Sequence, residues 1–193
     1  MSPEPYGKKA LLAALRLTGK KLDWPGPVEI VIAGGAAGMF LGIWAADRVT
    51  EDCDIVNINP PTQPRRALLQ AGREAAEELD LDPDWLNDDF MTFGTLDTLP
   101  DGWQTRCVNV GTFGKLKVTS LGRQDLLAMK LHAGREQDIL DIRAQLESLT
   151  RDDIAFMRAY LDSLKGPWRK HIKPAQLARA FALLAEIEKE VSP

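Results

Sequence analysis

The sequence has few of the residues and motifs that mark several large classes of protein. Only two of its 193 residues are cysteine and two are histidine. Their spacing fits no zinc or redox motif, so we expect Cys53 and Cys107 to be reduced. No Gly-x-Ser-x-Gly elbow and no Gly-Lys-Ser/Thr phosphate loop occurs, so the sequence signals of serine hydrolases and P-loop NTPases are missing. The net charge of -4 argues against a protein that coats nucleic acid through overall basicity.

Long apolar runs are also absent. The uncharged stretch at 30–46 has 17 residues, contains four glycines and is bounded by Glu29 and Asp47. A buried strand followed by a buried helix explains it better than a membrane span, which needs about 20 apolar residues. The first residues lack the basic-then-apolar order of a signal peptide. We therefore expect a cytoplasmic protein with no membrane partner.

Hydrophobic periodicity predicts strands and helices in one chain, an α+β (α/β) fold; the family resemblance given below implies a mixed β-sheet flanked by helices. Strand patterns occur at 28–32, 51–58, 104–110 and 115–120, and helix patterns occur at 8–17, 36–46, 63–79 and from 122 onward. The last two strand patterns predict a hairpin that turns at 111–114, and Thr150 is a predicted helix N-cap. We expect a core over residues 1–146 and a helical C-terminal extension over 147–193 that packs on it.

Two carboxylates stand at alternate positions in the second predicted strand. Asp52 and Asp54 should therefore share one face, while Cys53 and Ile55 point inward. In a central strand two such carboxylates repel each other and need a cation. Within the protein, Arg48 is the nearest residue in the sequence that could supply this cation. In a functional site the cation would be Mg²⁺. A solvated acidic face on an edge strand is the structural alternative.

The glycine segment before this strand has two functional interpretations. A helix beginning at Gly35 would direct free N–H groups and its dipole at a triphosphate. Gly35 and Gly38 could instead end a dinucleotide-binding Gly-x-Gly-x-x-Gly motif. The paired acids open the second strand, whereas a ribose-binding acid should end it, so an oxidoreductase is the weaker interpretation. Glycines as spacers between a helix and a strand are the non-functional alternative.

A late helical segment carries four charged residues of interest. Arg135 and Asp138 are three residues apart and can form an ion pair. Asp138 and Asp141 have the same spacing and should repel each other unless a cation lies between them. Lys130, if brought to the carboxylate site, could bind a triphosphate. Ion pairing along the helix explains the pattern equally well.

Taken in order, these residues resemble nucleotidyltransferase-fold families of the DNA polymerase beta superfamily, particularly uncharacterised bacterial relatives of the AbiEii toxins. Those families have a strand, a Gly-Gly or Gly-Ser turn, a helix, an Arg-x-Thr-x-Asp-x-Asp strand and a late Lys-Leu-x-Ala-x-Arg-x-x-Asp-x-x-Asp helix. Trp-Leu-Asn at 85–87 is similar to a motif of the uncharacterised branch. The resemblance covers roughly 28–146. It is carried by Gly34, Gly35, Arg48, Thr50, Asp52, Asp54, Lys130, Leu131, Ala133, Arg135, Asp138 and Asp141.

The resemblance implies a nucleotidyltransferase-like sheet and Mg²⁺-dependent transfer of NMP from an NTP to a hydroxyl of RNA, protein or a small molecule. It implies that Asp52, Asp54 and Lys130 are catalytic and that the two aspartates hold Mg²⁺. A toxin role with an antitoxin partner is one option within it. The implied nucleotide-binding residues are Gly34, Gly35, Arg48, Thr50, Arg135, Asp138 and Asp141.

One departure from the superfamily bears on catalysis. Its members usually have a third catalytic carboxylate on a later strand, but no Asp or Glu occurs from 102 to 124. Thr119 or Asn109 would then occupy that place, and Asp97 could do so only if the strand prediction is wrong. This departure motivates the alternative function, a catalytically degenerate member that binds a nucleotide or a partner.

Overall fold

The computed structural model describes residues 5–61, 64–92, 98–166 and 172–191. The strands are β1 (Val28–Ile32), β2 (Cys53–Asn59), β3 (Leu86–Asn87), β4 (Val108–Phe113) and β5 (Leu116–Ser120). The helices are α1 (Lys8–Lys21), α2 (Gly34–Leu41), α3 (Arg65–Leu79), α4 (Asp89–Thr92), α5 (Arg123–Ala133), α6 (Glu136–Arg143), α7 (Arg151–Ser163) and α8 (Pro174–Val191). The strands form one mixed sheet in the order β3-β2-β1-β5-β4. This architecture confirms the predicted fold class.

Strand β1 lies at the centre of the sheet. It pairs antiparallel with β2 and parallel with β5. Val28, Ile30 and Ile32 have no exposed surface, while the residues between them are half-buried. Ile32 is in register with Ile55 of β2 and with Ser120 of β5. The carboxyl ends of β1 and β5 and the start of β2 therefore meet at one edge of the sheet.

Several predicted element boundaries were wrong. Helix α2 ends at Leu41, because Gly42 adopts a left-handed conformation (φ +68°) and its N–H caps the helix. Residues 103–106 form a 3₁₀ turn, and β4 continues to Phe113 before a turn at Gly114 (φ +60°). Strand β2 begins at Cys53, and the short edge strand β3 lies within a segment predicted as turns. The predicted start of the third helix, Gln63, lies outside the described residues.

The predicted cap at Thr150 is confirmed. Its hydroxyl accepts a hydrogen bond from the Asp153 N–H (3.1 Å), and the Asp153 carboxylate accepts one from the Thr150 N–H (3.1 Å). This capping box starts α7.

Helices α7 and α8 pack against α5 and against each other through buried side chains such as Leu161 and Leu184. The division of the chain at residue 146 stays a prediction. No helix among the described residues combines the length and hydropathy of a membrane span.

Candidate functional site

A glycine turn closes on the carboxylate strand at the edge of the sheet. The Ala33 N–H donates to the Asp54 carbonyl (3.0 Å). Gly34 has φ +70°, and a Cβ there would lie 2.6 Å from Asp54 Oδ2. A Cβ on Gly35 would lie 2.6 Å from Thr50 Oγ1. Both positions therefore require glycine, and the N-terminus of α2, which has no side-chain cap, opens beside the carboxylates.

Asp54 lies in β2, and Asp52 is the residue directly before the start of that strand. Cys53 and Ile55 have no exposed surface, so the predicted alternation of faces is confirmed. Thr50 Oγ1 donates to Asp52 Oδ1 (3.4 Å). The Asn87 side chain, on the neighbouring strand β3, forms a hydrogen bond with Asp54. The neighbouring strand β3 thus holds Asp54, and Thr50, two residues earlier in the chain, holds Asp52.

The environment of this pair disfavours two negative charges. Burial, assisted by the charge of Asp52, raises the pKa of Asp54 to about 7. Burial also raises the pKa of Asp52. Arg135 opposes both shifts, and its effect on Asp52 is larger than that of Arg48. Asp89, at the start of α4, adds a smaller repulsion to Asp54.

An ion-pair network built around the buried side chains of Lys130, Asp138 and Asp141 lies next to the Asp52–Asp54 pair. Lys130 Nζ lies 2.7 Å from an oxygen of Asp138 and 2.7 Å from one of Asp141, and its side chain is only 6% exposed. Arg135 Nε bonds to Asp138 (2.7 Å), and Arg48 Nε bonds to Asp141 (3.0 Å). Lys130 is therefore the cation that the spacing of Asp138 and Asp141 required.

This network corrects the expected role of Arg48, whose direct partner is Asp141 and not the Asp52–Asp54 pair. Burial alone would raise the pKa of Asp138 and Asp141. Hydrogen bonds from Arg135 and Lys130 lower the pKa of Asp138, and bonds from Lys130 and Arg48 lower that of Asp141. The two aspartates on α6 are consequently ionised and satisfied.

The residues predicted from the sequence line a single cavity of about 780 Å³, here called the polar cavity. The start of α2, the segment that leads into β2, the end of α5 and helix α6 bring them together from distant parts of the chain. The predicted members that line it are Gly34, Gly35, Arg48, Thr50, Asp52, Asp54, Lys130, Arg135, Asp138 and Asp141. The structure places all ten in one site, and their individual roles stay predictions.

Two further cavities adjoin this one, and sequence reasoning missed both. The apolar cavity, of about 550 Å³, reaches Asp54 and is walled by side chains including Phe90, Met129 and Tyr160. The acidic cavity, of about 450 Å³, reaches Asp52 and is lined largely by carboxylates. Asp89 lines both. The one sequence signal near Asp89 was the Trp-Leu-Asn motif at 85–87, which ends two residues before it.

The expected substitutes for a third carboxylate lie away from the site. Thr119 Oγ1 donates to the Ile30 carbonyl (3.2 Å), and neither Thr119 nor Asn109 lines any of these three cavities. Asp97 lies outside the described residues. Within the described ranges, no group of three or more metal-ligating side chains converges. The carboxylates that the sheet edge itself presents are Asp52 and Asp54.

The mixed sheet, the glycine turn at the start of α2 and the paired carboxylates define a nucleotidyltransferase-like protein. Residues 12–152 match the model of a family described as nucleotidyltransferase of unknown function (DUF6036), and the chain belongs to this family. No curated protein and no solved structure matches the chain. The nucleotidyltransferase part of the resemblance is thereby confirmed, and the relation to the AbiEii toxins stays a prediction.

Proposed function

We propose that this chain is an Mg²⁺-dependent enzyme that transfers NMP from an NTP to an acceptor hydroxyl. One observation carries the proposal. Arg48, Lys130 and Arg135 each form an ion pair with Asp138 or Asp141, whereas Asp52 and Asp54 form none with any described residue. Two neighbouring half-buried carboxylates at the edge of a nucleotidyltransferase sheet thus have no ion-pair partner among the described residues, and the more distant charges of Arg135 and, at Asp52, of Arg48 oppose their repulsion.

The Asp52–Asp54 pair fits Mg²⁺. This ion takes oxygen ligands and is commonly held by one or two carboxylates together with waters and substrate phosphates. Burial, and after it the charge of Asp52, raises the pKa of Asp54, and a bound dication would favour the ionised form that both effects oppose. When bound, Mg²⁺ would polarise the α-phosphate and balance its developing charge.

The polar cavity supplies the groups that bind a triphosphate. The N-terminus of α2 at Gly34 and Gly35 offers backbone N–H groups to anions. Arg48 and Arg135, each paired with one carboxylate of α6, line the same space. A volume of about 780 Å³ is in the usual range for small-molecule sites. We expect these groups to orient the donor so that its α-phosphate lies at Asp52 and Asp54.

The negative charge around the site favours some classes of acceptor over others. Asp82, Asp84 and Asp89 line the acidic cavity beside Asp52. Their negative charge repels a phosphate backbone and offers none of the counterion release that favours binding of nucleic acid. A hydroxyl on a protein or a small molecule is therefore a better acceptor than RNA.

Calorimetry with the four NTPs tests the proposal, with and without Mg²⁺. Wild type should bind at least one NTP in an Mg²⁺-dependent manner, and the Asp52→Asn/Asp54→Asn variant should not. Glu147→Gln, which removes an exposed carboxylate outside the three cavities, is the control. Incorporation of label from α-³²P-NTP into an acceptor should follow the same order. Equal Mg²⁺-dependent binding by wild type and the double variant would refute the assignment.

The second candidate is a catalytically degenerate member that binds a nucleotide without turnover. The positions of Thr119 and Asn109 away from the cavities favour it, because no side chain of β4 or β5 replaces the missing acid. Mg²⁺-dependent binding without label transfer to RNA, protein and small-molecule hydroxyls would support this candidate. Growth inhibition on expression, lost in Asp52→Asn, would instead support an active toxin.

A further inference from the structure

The polar and apolar cavities meet at Asp54. Both are lined by Gly34, Asp54, Lys130, Arg135 and Asp138. Beyond this shared boundary their chemistry differs. The polar cavity continues among charged groups, while the apolar cavity continues between α4, α5, α7 and α8.

We infer that the apolar cavity holds the nucleoside of the donor NTP while the polar cavity holds its triphosphate. This inference rests on the proposed function. An NTP has a highly charged end and a flat ring at the other end, and its α-phosphate lies between them. With the α-phosphate at Asp54, the two cavities extend in the order that the two ends of the molecule require.

Aromatic side chains give the apolar cavity a surface suited to a nucleobase. Phe90 and Tyr160 both line it, and bases stack on such rings without needing hydrogen bonds to their edges. The Tyr160 hydroxyl donates to the Thr98 carbonyl (2.7 Å). The His132 ring packs edge-on to Tyr160 at a centroid distance of 6.2 Å. These contacts therefore hold the Tyr160 side chain in place in the absence of a ligand.

Size is consistent with this occupant, because about 550 Å³ lies in the usual range for small-molecule pockets. The polar cavity also has apolar side chains, Val49 and Leu140, which are 38% and 54% exposed. They are aliphatic and open to solvent, so they offer a ring less contact than the aromatic walls do. The apolar cavity is the better nucleoside site.

Ala133 is the position from which to test the inference. It is half-buried at the end of α5 and lines the apolar cavity but not the polar one. The Ala133→Phe substitution should fill the space meant for the base. Met129→Trp provides a second way to fill the same cavity from one turn earlier in α5. Ala159→Phe, at an exposed position of α7 outside these cavities, is the matched control.

The measurement is the Kd of an NTP and of inorganic tripolyphosphate, each with Mg²⁺, for the full-length variants. We expect Ala133→Phe to weaken NTP binding by at least about tenfold, a loss of about 1.4 kcal/mol. Tripolyphosphate, which has no nucleoside, should bind within about twofold of wild type. Ala159→Phe should change neither value, and thermal melts establish that each variant is folded.

Unchanged NTP binding in both Ala133→Phe and Met129→Trp would overturn the inference. Equal weakening of NTP and tripolyphosphate would also overturn it, because the cavity would then contribute nothing specific to the nucleoside. If NTP binding survives while label transfer is lost, the cavity holds the acceptor and the inference is wrong. A wild type that binds no NTP refutes the proposed function itself. NTP binding that needs Asp52 and Asp54 but ignores Ala133→Phe refutes only the inference.

Discussion

Replacing Asp54 with asparagine should make the metal-free protein more stable above pH 7. The folded structure raises the pKa of this carboxyl to about 7 from an ordinary value of 3.8. A raised pKa means that folding favours the protonated form. The stabilisation from Asp54 is therefore fully present below its unfolded pKa and is lost as the pH rises through about 7.

The magnitude follows from the size of the shift. About three pKa units correspond to about 4 kcal/mol of unfolding free energy between the acid and alkaline limits. About 2.5 kcal/mol of this falls between pH 5 and pH 8, because the carboxyl of the unfolded chain is already largely ionised at pH 5. Asparagine has nearly the same shape, can accept the Asn87 hydrogen bond and does not ionise.

Urea denaturation in EDTA at pH 5 and pH 8 measures the effect. The advantage of Asp54→Asn over wild type should grow by about 2.5 kcal/mol from the lower to the higher pH. Glu147→Gln, at an exposed position, should show no such growth. Adding Mg²⁺ at pH 8 should stabilise wild type and not the variant. A variant whose advantage is the same at both pH values would refute the electrostatic reasoning.

Two other substitutions test the supports of the site. Lys130→Met should cost about 3–5 kcal/mol in urea denaturation, because it leaves the buried carboxylates of Asp138 and Asp141 without their shared cation. Lys165→Met, which breaks an exposed ion pair, should cost less than about 1 kcal/mol, and equal losses would contradict the argument. Thr150→Ala should lower the free energy of unfolding by about 1 kcal/mol, because it removes the cap of α7. Thr150→Ser should retain most of this stability, and a Thr150→Ala variant as stable as wild type would contradict the role of the cap.

The sequence predicted those features that depend on local pattern. Alternation along β2 placed Asp52 and Asp54 on one face because strand geometry has a period of two residues. The Thr150 cap followed from its position before acidic residues. The short strand β3 was missed because two residues carry no periodic signal, and Gly42 ended α2 earlier than its apolar composition suggested.

The sequence could not predict which residues far apart in the chain form ion pairs or line a common cavity. Arg48 was expected to neutralise the nearby Asp52–Asp54 pair, yet its partner is Asp141, 93 residues away. Charge spacing along one helix cannot show which distant cation enters between two carboxylates. The apolar cavity was missed for the same reason, because its walls come from six helices spread along the chain.

The charge balance of the polar cavity indicates which form of the nucleotide, free or bound to Mg²⁺, should bind there. Six carboxylates and three cationic side chains line it, and all three cations already have carboxylate partners. A free triphosphate would add several negative charges to a site with an excess of its own, and partial burial would strengthen the repulsion. Mg²⁺ bound to the nucleotide would lower this repulsion, because it would neutralise phosphate charge and supply a cation to Asp52 and Asp54. On this argument we expect the magnesium complex of the NTP to be the ligand that binds, and the free nucleotide to bind only weakly.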